Sequence, residues 1–245
     1  MIDSIVNEFK NHIKKYDPNL PDNKKIRMYK ILNSENPNFE SYGLKISEIE
    51  KIVREIHGKY HCSYEDAVEV FKVLISSDVH EENFAAVFFL NRFKKKFSDK
   101  TLNMFYNEFF KYCDTWAICD STMIRIIGPF LGKKGNEKLA LNTIKKWSNS
   151  DDMWTKRASM VILIKLVMIR KDFDEEYVFK LVEKMARSSE DYIQKGIGWL
   201  LKTCSKYKSD EIFNYLMENK TTLSRLILRY ASEKMPKEKR AEILS

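Results

Sequence analysis

The chain has 245 residues, 44% hydrophobic and 13% aromatic, enough apolar mass to close a core without metals or disulfides. Its 43 Lys and Arg against 35 Asp and Glu leave a formal charge of +8, a balance that draws polyanions such as nucleic acid or an anionic membrane surface without choosing between them. Only seven Gly and five Pro argue against turn-rich strand architectures, and there is neither a P-loop nor a glycine fingerprint after a strand.

Met1 to Lys15 reads as an amphipathic segment carrying acidic residues, unlike a secretory leader. No apolar run reaches the length of a membrane span, so a cytoplasmic location is expected, at the nucleoid or in a nucleus. Helical periodicity then runs from end to end. Val68, Phe71, Val73 and Ile75 mark one helix, and Phe84, Val87, Phe88 and Phe93 the next. Val161, Ile164, Lys165 and Met168 mark another, as do Val178, Leu181, Val182 and Met185. Polar clusters interrupt the pattern at 76–77, 97–100, 148–152, 170–174, 188–191 and 206–210, with Ser98, Asp114, Ser150 and Ser209 as expected N-caps.

About a dozen helices, paired by short turns at intervals of about 35–40 residues, predict an all-α, single-domain superhelical solenoid of HEAT-like repeats over residues 1–245, with a concave basic face. Gly196 and Gly198 fall inside a helical pattern, where they mark close helix packing rather than a phosphate cradle. Cys62, Cys113, Cys119 and Cys204 form no ligand spacing with His12, His57, His61 and His80, so reduced thiols, no metal and no cofactor are expected.

Three segments carry possible chemistry. In Asp114-Thr115-Trp116-Ala117-Ile118-Cys119-Asp120, Trp116 and Asp120 stand at i and i+4 on one helical face. An indole can pack on a sugar and a carboxylate can stabilise positive charge beside it; the alternative is a core Trp with an exposed Asp. In Met153-Trp154-Thr155-Lys156-Arg157, Lys156 and Arg157 occupy the first turns of a helix, a place suited to phosphate, unless Arg157 is a surface residue paired with an acid. Lys195, Trp199, Lys202 and Lys206 follow at helical spacing, a cationic and aromatic stripe fit for a nucleic-acid backbone, or a buried Trp flanked by solvated lysines.

Taken in order, these segments resemble the DNA alkylation repair family of AlkD-type glycosylases, from about Arg27 to Leu244. Supporting stretches are Tyr42-Gly43-Leu44-Lys45 with Ile49, Trp147 with Ser150, Gln194 to Trp199, and Leu223-Ser224-Arg225. The resemblance implies a monofunctional DNA glycosylase that removes cationic N3- or N7-alkylated purines. Asp120, Trp116 and Trp199 match the positions around the lesion-bearing nucleotide, and Arg157 the phosphate-holding arginine. Tyr29 matches more loosely an aromatic near the DNA, and Lys156, Lys195, Lys202 and Arg225 join the DNA-binding set. Thr115 stands where some members carry a second Trp. The implied partner is double-stranded DNA with alkylated bases, bound by a monomer without membrane or obligate protein partner. Two other readings stay open: a non-catalytic DNA-binding member, and a protein-binding helical scaffold whose tryptophans are core.

Overall fold

The computed structural model describes residues 1–245, and apart from an isolated parallel bridge between Glu40 and Val79 its regular elements are helical. Two compact units divide the chain. The first, Met1–Thr122, holds α1 (Ile2–Lys15), α2 (Asp22–Leu32), α3 (Ile46–Lys59), α4 (Tyr64–Ile75), α5 (His80–Asn91), α6 (Asp99–Met104) and α7 (Trp116–Thr122). The second, Met123–Ser245, opens on a π-helical stretch, Met123–Ile127. It continues through α8 (Gly128–Leu131), α9 (Glu137–Trp147), α10 (Met153–Arg170), α11 (Glu175–Met185), α12 (Asp191–Cys204), α13 (Ser209–Glu218), α14 (Arg225–Ala231) and α15 (Lys237–Leu244).

In the first unit α5 is the central rod, packed by α1, α3, α4 and α7, and every residue from His80 to Leu90 is buried. A helix enclosed all round shows no amphipathic stripe, so Phe84, Val87 and Phe88 belong to a continuous core rather than to one face. Phe89 meets Phe9 of α1 edge-on at 5.3 Å. On α4 the buried stripe is Ala67, Val70, Phe71, Leu74 and Ile75. The expected register through Val68 and Val73 is therefore corrected: Val73 is exposed, because 68, 71, 73 and 75 do not share a face at 3.6 residues per turn. By contrast α2 buries none of its residues and leaves Ile26 and Ile31 exposed.

In the second unit α10, α12 and α14, each the later member of a pair, pack side by side and begin at Met153, Asp191 and Arg225, a helical repeat near the expected interval. Val178, Leu181, Val182 and Met185 of α11 are all buried, as their spacing predicts. The glycines do what their setting implies. A Cβ on Gly196 would stand 2.9 Å from Met160 Cε of α10, and one on Gly198 would stand 2.3 Å from Tyr230 Cβ and 3.2 Å from the Ile227 carbonyl of α14. The first neighbour is a flexible tip; the second is at the backbone of α14 and cannot yield. Gly198→Ala is therefore expected to destabilise by about 2 kcal/mol despite the higher helix propensity of Ala, and Gly196→Ala by much less. Urea unfolding of both variants measures this, and equal midpoints would refute it.

Several caps differ from expectation. Ser98 is the N-cap of α6, its N–H donating to Thr101 Oγ1 at 3.1 Å. Asp114 does not cap α7: Thr115 precedes that helix and accepts the Ile118 N–H at 3.4 Å, while Asp114 accepts the Ser34 hydroxyl. Asp152 rather than Ser150 caps α10, taking the Thr155 N–H at 2.6 Å, and Ser209 lies inside α13. In each cluster several residues are competent caps, and only the backbone path selects one.

Candidate functional site

In the first unit, α7 carries the Trp116 and Asp120 pair one turn apart. Trp116 is half-buried, and its indole N–H donates to the Ile31 carbonyl of α2 at 2.8 Å. Asp120 is 9% exposed, which excludes the exposed-Asp reading. A carboxylate so withdrawn acts through a low local dielectric, where its field on an adjoining positive charge is strong. Tyr29, on the same α2 that holds Trp116, accepts the Ser41 N–H at 3.2 Å and meets Phe39 edge-on at 5.6 Å.

What holds α2 was not visible in the sequence. It has no buried anchor, so its place depends on polar latches and on the turn behind it. That turn, Ser41 to Leu44, is gripped by Glu81 of α5, a side chain only 2% exposed. Its carboxylate accepts from Ser41 Oγ at 2.8 Å and from the N–H groups of Tyr42, Gly43 and Leu44 at 3.2, 2.7 and 3.2 Å. Gly43 supplies the left-handed φ of 82° the turn requires, and a Cβ there would stand 2.4 Å from Leu20. The available signal was the pair Glu81-Glu82 opening an apolar helix, a place where acids are retained only with partners.

His80, next to Glu81, is 5% exposed and sits between Phe39 and Phe84 with ring centroids at 5.3 and 4.9 Å. Burial drives its pKa down from 6.5 to about 4, so the folded protein keeps it neutral. The unfolded chain takes up this proton first. Stability from His80 is thus complete above pH 6.5 and declines as the pH falls toward 4, by about 3 kcal/mol in all. Denaturation midpoints across that window should fall in the wild type and fall less in His80→Phe; parallel curves would disprove the assignment.

The second unit holds the remaining predicted residues. Arg157 is 5% exposed, and its Nη1 donates to the Tyr192 carbonyl of α12, so it is not the surface arginine of the alternative reading. Its guanidinium lies 5.8 Å from the Tyr192 ring centre, with Lys195 Nζ at 5.6 Å from the same ring and Trp154 packed at 5.0 Å. Tyr192 therefore joins Arg157 to Lys195, a role sequence reasoning missed; its signal was an aromatic one turn before Lys195. Lys156 is half-buried and, with burial itself, holds the Lys184 ammonium below its usual pKa, desolvation being the larger cause.

Trp199 is half-buried on α12. Lys195 pairs with Asp191 at 3.2 Å and Lys202 with Glu233 at 2.9 Å, so both lysines carry local counter-charges. Lys206 lies beyond the end of α12 at Cys204, which shortens the expected stripe by one residue. Arg225 begins α14 and donates Nη1 to the Leu244 carbonyl, tying α14 to α15. Trp147 and Trp154 are core, buried to 1% and 6% exposure, unlike Trp116 and Trp199. The four cysteines are free, and burial raises the Cys204 thiol to about 12, out of the reactive range.

No curated protein sequence matches the chain. A solved structure described as a predicted DNA alkylation repair enzyme from Enterococcus faecalis superimposes with a TM-score of 0.72 at 15% identity, covering 88% of this chain and 96% of that one. At that identity the likeness speaks for the fold. The model of a family described as DNA alkylation repair enzyme matches residues 10–235. Most of the sequence lies within that match, and the chain belongs to the family of DNA alkylation repair enzymes.

Proposed function

We propose that this protein is a monofunctional DNA glycosylase, a single functional module of HEAT-like repeats acting as a monomer on double-stranded DNA. In this reading it hydrolyses the N-glycosidic bond of cationic N3- or N7-alkylated purines. The observation that carries the reading is the nearly buried Asp120 carboxylate one turn from the half-exposed Trp116, within a chain of this family.

An alkylated purine is already a cation and leaves without protonation. The C1′–N9 bond breaks with its electron pair passing to the base, whose charge is cancelled, while positive charge grows on the sugar. A fixed carboxylate stabilises that charge, as in glycoside hydrolysis. Water then bonds C1′, and its proton passes to Asp120 and on to solvent. Trp116 offers a π face to the developing cation. From the second unit, Arg157, Lys156, Lys195, Lys202 and Arg225 are proposed to contact the phosphate backbone and Trp199 the sugar, with Tyr29 a further aromatic contact from the first. No lysine nucleophile is invoked, so the product is an abasic site.

Base release from methylated duplex DNA tests the proposal. Release by the wild type is expected; DNA binding without release would instead make this a non-catalytic DNA-binding member.

A further inference from the structure

In the first unit the exit of α2 and the entry of α7 are joined by two hydrogen bonds, between residues 85 and 80 positions apart in sequence. The Trp116 indole N–H donates to the Ile31 carbonyl at 2.8 Å, and the Ser34 hydroxyl donates to Asp114. Between these two bonds the chain has little freedom. Asn33 ends α2 in the left-handed region with φ 49°, its N–H donating to the Tyr29 carbonyl at 2.8 Å. On the α7 side only Thr115 separates Asp114 from Trp116, and it is wholly buried while its hydroxyl accepts the Ile118 N–H. A shift of Ser34 against Asp114 is therefore passed directly to Ile31 and its bond with the indole.

The two partners suit this task. The Ser34 oxygen accepts the Asn36 N–H at 3.1 Å, which leaves its O–H for Asp114, and Asn36 donates Nδ2 to Asp78 at 2.8 Å. Asp114 is a costly acceptor for the fold to carry. It is half-buried, its Oδ1 has no hydrogen-bond partner, and burial raises its pKa; Asp78 and Glu35 push the same way against the bond from Ser34. A carboxyl whose pKa rises on folding lowers stability at neutral pH. Meanwhile α2 buries no side chain, and its Met28 and Leu32 border an open apolar cleft shared with Trp116, so hydrogen bonds and not packing set where its last turn stands.

We propose that Ser34 and Asp114 form a clasp that positions the Trp116 indole for the reaction, acting through the last turn of α2. Asp114 and Ser34 are positioning residues and touch no substrate. With the clasp closed, the Ile31 carbonyl is fixed and the indole plane is set against the sugar. With it open, the end of α2 moves and the ring turns with it. The part played in the reaction rests on the glycosylase reading above; the setting of the indole does not.

The test uses the full chain and methylated duplex DNA. It reads single-turnover base release, gel-shift affinity, thermal melting, and acrylamide quenching of Trp116 taken as the difference from Trp116→Phe in each background. Ser34→Ala is expected to slow release about tenfold, to keep DNA affinity within about twofold, and to raise the quenching of Trp116. Asp114→Ala should slow release equally, and the double variant should also lose about tenfold and not a hundredfold, because both changes remove one bond. Asp114→Asn keeps an acceptor for Ser34 and drops the charge. It should release base within about threefold of the wild type and melt no earlier, a combination that a merely stabilising carboxylate would not give. If Asp114→Ala melts early, Ser34→Ala and Asp114→Asn carry the test. Unchanged release or quenching in Ser34→Ala, losses that multiply in the double variant, or no rescue by Asp114→Asn overturns the proposal. Absence of release by the wild type defeats the glycosylase reading instead. Quenching then decides the clasp alone: a rise in Ser34→Ala supports it and no change overturns it.

Discussion

Asp120→Asn is expected to lower single-turnover release of 3-methyladenine from methylated duplex DNA by about a hundred- to a thousandfold while changing DNA affinity less than about twofold. The substitution keeps the size and planarity of the side chain and removes only its charge. A carboxylate repels a polyanion, so removing its charge takes away no attraction for DNA and relieves only the repulsion of a single charge, which salt screens beyond about 10 Å. Its effect is confined to the step in which positive charge appears on the sugar, so the loss should fall on the rate and not on binding. Gel-shift affinity and base release measured on the same preparation separate the two. Normal release by Asp120→Asn would remove Asp120 from the reaction; lost release with equally lost affinity would make it a structural residue.

How much of this was legible beforehand depends on whether the relevant partners lie close in sequence. The i, i+4 pair of Trp116 and Asp120, the α11 stripe and the packing glycines Gly196 and Gly198 are local patterns, and each appears where the spacing puts it. In helices enclosed on every side, such as α5 and α10, the stripes read from Phe84, Val87 and Phe88 and from Val161 and Ile164 are only part of a surface buried all round, and the α4 register was misread where apolar residues outnumber one face. The burial of Arg157 was not legible, because nothing nearby declares that the Tyr192 carbonyl, on the next repeat, accepts its hydrogen bond. Burial of Asp120 was equally hidden, since its exposure depends on neighbours from other helices. The least visible feature is the support of α2. Its apolar residues suggest an ordinary amphipathic helix, yet none is buried, and its latches reach it from Ser41, itself held by Glu81, and from Trp116.

That arrangement gives Glu81→Ala the largest expected effect on stability, a loss of about 4 kcal/mol. Four donors, three of them backbone N–H groups, lose their acceptor together, and each costs about 1 kcal/mol when left unmatched. Glu81→Gln keeps one acceptor oxygen but turns an NH2 toward a donor, so it should cost about half as much. The damage should also travel. With the turn released, Ser41 no longer holds Tyr29, α2 loses one of its latches, and the Ile31 carbonyl that fixes the Trp116 indole is free to move. Equilibrium unfolding in urea reads the stability term. Base release at a temperature where the variant remains folded reads the positional one, and tryptophan fluorescence compared with Trp116→Phe shows whether the indole has moved. An unchanged midpoint in Glu81→Ala would mean that the turn stands without Glu81. A lowered midpoint with unaltered Trp116 fluorescence and release would confine Glu81 to stability and leave α2 held by its own contacts.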